Sequence, residues 1–374
     1  MLSNLLDKSS NRHPDYILLG IIGTLVAFGI LILSSVSAAP SFRLTGDTYY
    51  FLKHQIFFGL LPGLVLGYLA YRFNLSLIKK YSFLLLIFTF ILMVLVFLPA
   101  IGSKDSATAD RWLNIGGFSF QPSELLKLSF ILYLATWLKS RSEKKFLDLK
   151  QTFFAFLMVL GSIALLLFFQ SNASMLGIIF LIAIIMYFSM DMPLKYTAVT
   201  GLVALGGVAA LIKIAPYRIN RWLVFLDPDK DPMGIGYQLK QSLIAVGSGG
   251  LFGVGLGMST QKLGYLPQTI SDSIFAVFAE EMGFVGGIIL IALFLIFAWR
   301  VFRLATKTND KFYKLAAVGI SSWIIIQTFV NIGAMIGLMP LTGVPLPFIS
   351  AGGSALTIEL IGMGILLNIS KHAN

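Results

Sequence analysis

Asp272 is the residue whose position in this sequence best suits chemistry. It lies between Tyr237 and Gly283, where a polar, glycine-rich stretch leads into an apolar run that begins at Ile274. A carboxylate at such a boundary can act as a general base, or it can cap the N-terminus of the following helix. The sequence leaves both interpretations open.

Two further acids follow within the apolar run. Glu280 comes about two helical turns after Asp272, on a similar face, and Glu281 is next to it. Ionisable residues within a membrane span are costly and tend to face a cavity or a partner. An acid at the rim with another below it suits a proton relay, or a base with one supporting group.

A carboxylate and an amine, Glu124 and Lys127, are three residues apart near the start of another apolar run. At this spacing they share one helix face and can pair. The pair is either a structural ion pair or part of an outward-facing polar cavity, and the sequence does not decide between these two roles.

Several basic and aromatic residues could bind a phosphate or anchor the chain at a membrane interface. Arginine suits phosphate geometry, and aromatic and basic residues are common at interfaces. The candidates are Arg111 with Trp112, Arg218 and Arg221.

The elements that must position these residues are membrane helices. The chain has 374 residues, of which 57% are hydrophobic and 12% charged, and its mean hydropathy is +0.86. This composition excludes a soluble globule. The net charge of +11 is spread over short links, which argues against nucleic-acid binding. Without cysteine, and with three scattered histidines, the sequence predicts no metal site.

Apolar runs of roughly 20 residues predict an all-α polytopic membrane protein with about ten spans. We expect them at 15–37, 50–71, 81–101, 122–138, 152–169, 173–190, 194–214, 274–298, 313–337 and 350–369. Most of the Lys and Arg residues in short links fall on one side, so both termini are expected in the cytoplasm. The long segment 215–271 is then extracytoplasmic, and its stretch Tyr237–Val246 is amphipathic.

Four motifs spread over most of the chain resemble the SEDS family, which includes FtsW and RodA. They are ADRWLNIGGFSFQPSELLKL (109–128), FLDPDKDPMGIGYQLKQSLIAVGSGGLFGVGLG (225–257), QKLGYLPQTISDSIFAVFAEEMGFVGG (261–287) and LTGVPLPFISAGGSALTIELIGMGILLNIS (341–370). The short spacing GLGMSTQKLGYLP and the ending GILLNIS are more similar to FtsW than to RodA. The resemblance implies one transmembrane domain over residues 1–374, with its large outer loop between the seventh and eighth spans.

The resemblance also implies an activity. Members polymerise lipid II into peptidoglycan strands at the outer face of the cytoplasmic membrane, beside a class B penicillin-binding transpeptidase. The family's essential acid corresponds to Asp272, the catalytic candidate. The candidates for substrate binding or support are Arg111, Trp112, Glu124, Lys127, Arg218, Lys262, Glu280 and Glu281. No cofactor is required by the sequence, although Mg²⁺ or Mn²⁺ could offset the pyrophosphate charge.

The chain departs from the family pattern around these residues. Gln268, Ile270 and Ser273 replace common residues near Asp272, and Asn172 stands where an acid is common. These changes bear on substrate contacts and could lower activity. Two other functions fit the physical pattern: a lipid II flippase, which needs charges along a path to the cytoplasmic side, and a non-catalytic division scaffold, which does not need Asp272.

Overall fold

A computed structural model describes residues 13–99, 102–106, 109–115, 118–143, 149–190, 199, 201–202, 206 and 216–373. The described chain is a bundle of helices with one small sheet. The helices are α1 (Tyr16–Thr45), α2 (Tyr50–Arg72), α3 (Leu75–Leu95), α4 (Pro122–Glu143), α5 (Leu149–Phe169), α6 (Ala173–Phe188), α7 (Pro216–Leu226), α8 (Ile235–Ser248), α9 (Ile274–Lys307), α10 (Lys311–Met335) and α11 (Gly353–Ser370). The strands are β1 (Gly102–Ser106), β2 (Ala109–Ile115) and β3 (Phe118–Phe120).

Six helices of the described chain are long and apolar enough to cross a membrane: α1, α2, α3, α9, α10 and α11. Shorter apolar helical stretches occupy Phe154–Phe169 and Ala173–Phe188. The polytopic helical class is therefore confirmed. The number of spans stays a prediction, because the predicted seventh span, 194–214, lies almost entirely outside the described residues.

The predicted boundaries of the third span are wrong. Helix α3 begins at Leu75, where Asn74 caps it by accepting a hydrogen bond from the Ser76 amide at 3.0 Å, and it ends at Leu95. Lys79 and Lys80, which the sequence assigned to a link, lie inside the helix. Lysine is tolerated near the end of a membrane helix because the stem of its side chain covers apolar surface while the charged end reaches water.

The segment between α3 and α4 forms a sheet that the sequence analysis did not predict. Strands β1, β2 and β3 pair antiparallel in chain order, with Leu113 opposite Gly102 on one side and Phe120 on the other. The strands are short, and their aromatic residues were interpreted as interfacial anchors. The sheet is small, and the all-α class holds for the rest of the described chain.

Helices α2 and α11 approach each other through glycines. Gly59, Gly63 and Gly67 recur every fourth residue of α2, the small-residue spacing that brings membrane helices close together. A Cβ atom on Gly67 would lie 2.7 Å from the Leu360 carbonyl oxygen, and one on Gly353 would lie 2.7 Å from the Phe58 carbonyl oxygen. The glycine-rich start of the last helix therefore has a structural role in this packing.

The bundle has two distinct ends. At one end the first and last helices meet, since the Asp15 amide donates to Ser370 Oγ at 2.9 Å. Helix α9 starts at the opposite end, directly after Asp272, and runs back to the termini. The amphipathic stretch of the long segment is helical and forms α8.

Candidate functional site

Asp272 occupies the turn before α9, but it does not cap that helix. The N-cap position belongs to Ser273, whose side chain makes no capping hydrogen bond. The Asp272 carboxylate instead accepts a hydrogen bond from Ser271 Oγ at 2.9 Å. The capping interpretation is therefore wrong, and the Asp272 side chain is left available for other chemistry.

The backbone around Asp272 is clamped by two other elements. Asn331 of α10 donates through Nδ2 to the carbonyl oxygens of Asp272 and Val344, each at 2.8 Å. In the loop before α11, Ser350 Oγ donates to the Ser271 carbonyl at 2.5 Å, and the Ala351 amide donates to the Ile270 carbonyl at 2.8 Å. These contacts fix the place of the acid relative to α9, α10 and α11.

Burial raises the pKa of Asp272 above its ordinary value. Hydrogen bonds from Ser271 and Gln238 and the positive charge of Arg221 act in the opposite direction and are weaker. Burial is thus the main cause of the raised pKa. A carboxylate with a raised pKa is a stronger base than an exposed one.

The cation that acts on Asp272 is Arg221, which the sequence placed only among possible phosphate ligands. Arg221 lies on α7 and donates through one terminal nitrogen to the Leu341 carbonyl at 3.2 Å. Its Nε atom is buried without a hydrogen-bond partner among the described residues. Arg218 lies on the same helix, and its side chain is outside the described part of the structure.

Glu280 holds the loop that precedes Asp272. Its carboxylate accepts hydrogen bonds from Ser259 Oγ, from the Thr260 amide and hydroxyl at 3.1 and 3.0 Å, and from the Gln261 amide at 3.4 Å. The acid is buried and its oxygens are occupied by these donors. Glu280 therefore supports the segment that carries Asp272 by holding its backbone.

Lys262 and Glu281 form a buried ion pair. Their charged atoms are 2.6 Å apart, and the side chains are 7% and 2% exposed. Ser35 of α1 donates to the second Glu281 oxygen at 2.6 Å and also lies 3.3 Å from the lysine nitrogen. The pair connects α1, α9 and the long segment.

A break in α9 lets the glycine-rich loop join the helix. Gly283 has φ 67° and ψ −168°, and the Phe284 amide donates to the Gly250 carbonyl at 2.9 Å. In return the Val254 amide donates to the Glu280 carbonyl at 3.0 Å. A Cβ atom on Gly253 would overlap the Glu281 carbonyl group. These glycines therefore let the backbone of the loop approach α9 closely.

Glu124 and Lys127 form an ion pair in the centre of the bundle. They are 2.8 Å apart and 2% and 1% exposed. Lys127 also donates to Gln327 Oε1 at 2.8 Å and lies 4.8 Å from the centre of the Trp323 ring. Of the two roles left open by the sequence, this geometry favours the structural one.

Arg111 and Trp112 lie on β2. Arg111 donates to the carbonyl oxygens of Gln170 and Ser171 at 3.0 and 2.7 Å, which ties the sheet to the end of α5. The indole nitrogen of Trp112 is buried without an acceptor among the described residues. Of this pair, only Trp112 therefore presents an unused polar group.

The described side chains do not gather the oxygen and nitrogen ligands of a metal site: in that part of the chain no group of three or more His, Asp or Glu could hold an ion. The structure thus brings Asp272 together with Arg221 and Gln238. Two separate buried ion pairs hold Lys127 and Lys262 with their acids, and Glu280 is bound by neutral donors. Sequence reasoning did not identify Gln238, Asn331 or Ser350, because single polar residues in apolar or glycine-rich stretches have no distinctive spacing.

These features define a polytopic membrane protein with a partly buried, clamped acid at the end of the bundle away from the chain termini. Residues 16–374 match the model of the FtsW, RodA and SpoVE family of cell cycle proteins, and the chain belongs to this family.

Relatives agree with that assignment. The chain is 38% identical to stage V sporulation protein E of Bacillus subtilis, over 98% of this chain and 99% of that protein. It is also 38% identical to a probable peptidoglycan glycosyltransferase FtsW of a Geobacter species, over 96% of this chain and 97% of that protein.

Solved structures share the fold. A chain from a peptidoglycan synthase complex, which coordinates polymerisation and crosslinking, superposes with a TM-score of 0.79 at 25% identity, covering 96% of this chain and 98% of its own length. RodA of Thermus thermophilus gives a TM-score of 0.70 at 25% identity, with 96% of both chains covered. The chain is 38% identical to the Geobacter FtsW and 25% identical to this RodA, which agrees with the greater likeness to FtsW predicted from the motifs.

Proposed function

We propose that this protein is a peptidoglycan glycosyltransferase that polymerises lipid II at the outer face of the cytoplasmic membrane, in cell division or cell-shape maintenance. The relatives named FtsW carry this activity in their name. The observation that carries the proposal is the partly buried acid Asp272, whose backbone is held by Asn331 and Ser350 and which lies within reach of the charge of Arg221.

Asp272 is the general base in the proposed reaction. It takes the proton from the 4-hydroxyl of the acceptor GlcNAc while that oxygen attacks C1 of the donor MurNAc. The new glycosidic bond forms with inversion as the bond from C1 to the pyrophosphate oxygen breaks, and undecaprenyl pyrophosphate leaves. The raised pKa of Asp272 supports this role.

Arg221 is the cation we assign to the pyrophosphate, because Lys127 and Arg111 are occupied by protein partners. A guanidinium group suits phosphate oxygens and stabilises the negative charge that develops on the leaving group. Arg218, on the same helix, is a second candidate for this contact. Trp112, next to Arg111 on β2, remains a candidate for contact with the substrate.

The remaining candidates support the site by holding its frame. Glu280 fixes the loop before Asp272, and Lys262 with Glu281 joins that loop to α1. Glu124 and Lys127 hold α4 against α10.

We further propose that the protein lies in the cytoplasmic membrane with both termini in the cytoplasm. The meeting of α1 and α11 at one end supports a common side for the termini, and the distribution of basic residues supports the cytoplasmic side. A class B penicillin-binding transpeptidase is the expected partner, since the synthase complex with the shared fold couples polymerisation to crosslinking.

The test is polymerisation of purified lipid II by the detergent-solubilised protein with its cognate transpeptidase. Asp272→Asn keeps the size of the side chain and removes its basicity, so the rate should fall at least about 100-fold, as expected for loss of a general base. The matched control is Asp229→Asn, which removes an exposed acid from the same outer segment and should leave the rate unchanged.

The other two functions give different results. A scaffold tolerates Asp272→Asn, and wild type and mutant then support division equally without polymerising lipid II. A flippase moves labelled lipid II across liposomes and forms no strands. Strands from wild type and from a folded Asp272→Asn variant at the same rate would remove Asp272 from catalysis.

A further inference from the structure

The end of the bundle that carries the termini contains a basic cleft that the proposed reaction does not use. The cleft has a volume of about 310 Å³ and lies between the start of α1, the last turns of α9 and the end of α11. It is at the opposite end of α9 from Asp272. Its polar and charged lining includes Asp15, Arg300, Arg303 and Lys307.

Within the part of the chain that the structure describes, the positive charges that line the cleft outnumber the negative ones. Arg300, Arg303 and Lys307 succeed one another at spacings of three and four, so they share one face of α9 and repel each other. Among the described residues that line the cleft, Asp15 is the only carboxylate. One of its oxygens accepts from the Leu18 amide at 3.0 Å and the other from Arg300 Nε at 2.7 Å.

These contacts give the cleft a defined shape. The Asp15 amide donates to Ser370 Oγ, which joins α1 to α11, while the Arg300 bond joins α1 to α9. Arg303 lies with its guanidinium 5.4 Å from the centre of the Trp299 ring. The side chains of Arg303 and Lys307 are both exposed, so a ligand bound in the cleft can contact them.

The surface beside the cleft is apolar and aromatic. Tyr16 and Ile17 of α1 and Trp299 and Phe302 of α9 are exposed large side chains. Both helices are long and apolar enough to cross a membrane, and exposed Tyr and Trp near the ends of such helices lie at the level of the lipid headgroups. A ligand that fits both surfaces has a negatively charged head and apolar chains.

We propose that this cleft binds the phosphate headgroup of an anionic phospholipid from the leaflet at the terminal end of the bundle, with the acyl chains along α1 and α9. Basic pockets between membrane helices are typical sites for such headgroups. A zwitterionic lipid is disfavoured because its ammonium group adds a further cation to the cluster. Neither Arg303 nor Lys307 has a part in the polymerisation chemistry.

The experiment is native mass spectrometry of the delipidated full-length protein, titrated with phosphatidylglycerol and, separately, with phosphatidylcholine. Phosphatidylglycerol should bind more tightly. Because each basic residue contributes about fivefold to the binding of an anionic lipid, Arg303→Gln/Lys307→Gln should weaken its affinity about 25-fold. Each single variant should weaken it about fivefold, which keeps the test valid if the double variant is unstable.

The matched control is Lys80→Gln/Arg141→Gln. Lys80 and Arg141 lie 5.3 and 5.6 Å from the centres of aromatic rings, much as Arg303 lies over Trp299. Their substitution removes the same amount of charge near the same end of the bundle. This control should change the affinity by less than about twofold, as for ordinary surface sites. An equal loss in both double variants, or equal binding of the two lipids, would overturn the proposal. Complete displacement of the lipid by an equimolar amount of glycerol 3-phosphate would overturn it in favour of a free phosphate ester.

Discussion

Substitution of Lys262 tests whether this residue stabilises the fold or binds the substrate. Its ammonium group lies 2.6 Å from Glu281 Oε1, and both side chains are almost completely buried. Lys262→Met keeps the apolar stem but leaves the Glu281 charge buried with Ser35 as its remaining side-chain partner. Removing one partner of a buried ion pair costs about 3 to 5 kcal/mol, because the charge that remains is not compensated.

The measurement is thermal unfolding in detergent, followed by intrinsic fluorescence. At about 2 °C for each kcal/mol, Lys262→Met should lower Tm by about 6 to 10 °C. Lys262→Met/Glu281→Met should recover most of this loss, because replacement of the whole pair by apolar groups is often close to neutral. Lys240→Met is the matched control: it removes the lysine of an exposed pair with Asp229 and should cost less than about 1 kcal/mol.

If Lys262→Met leaves Tm unchanged and raises KM for lipid II, the lysine binds substrate and the ion pair does not stabilise the fold. A double variant that is less stable than both single variants would refute the assignment of the cost to an uncompensated buried charge.

Two further predictions concern the acid and the glycine loop. Because burial raises the pKa of Asp272, the carboxylate is protonated as pH falls through a value above the ordinary one, and the polymerisation rate should decline there. Arg221→Gln removes a charge that lowers this pKa, so the acid limb of kcat/KM against pH should move to higher pH; a limb that does not move would contradict the assignment. Gly253→Ala places a Cβ atom against the Glu281 carbonyl group at a residue whose φ is 81°, so this substitution should lower Tm by several degrees. The control is Gly247→Ala, which has open space around its Cβ and should leave Tm unchanged. Equal Tm values for the two variants would contradict the close approach of the loop to α9.

The positions of the main helices could be predicted from the sequence because membrane insertion depends on local composition. A run of apolar residues must form a helix in lipid whatever lies elsewhere in the chain, and α2, α9, α10 and α11 begin within a few residues of the predicted starts. The place of Asp272 at the start of α9 followed from the same local signal. The sheet between α3 and α4 was missed because its strands are short and irregular.

The partners of the buried polar groups were decided only by the tertiary structure. The sequence showed that Glu124, Lys127 and Glu281 are costly inside a span, but it could not show that Lys127 meets Gln327 of α10 or that Glu281 meets Lys262 and Ser35. Such contacts join residues far apart in the chain, and no spacing rule links them. For the same reason the sequence supplied the acid of the site, whereas the folded bundle supplied the burial that raises its pKa and the arginine that faces it.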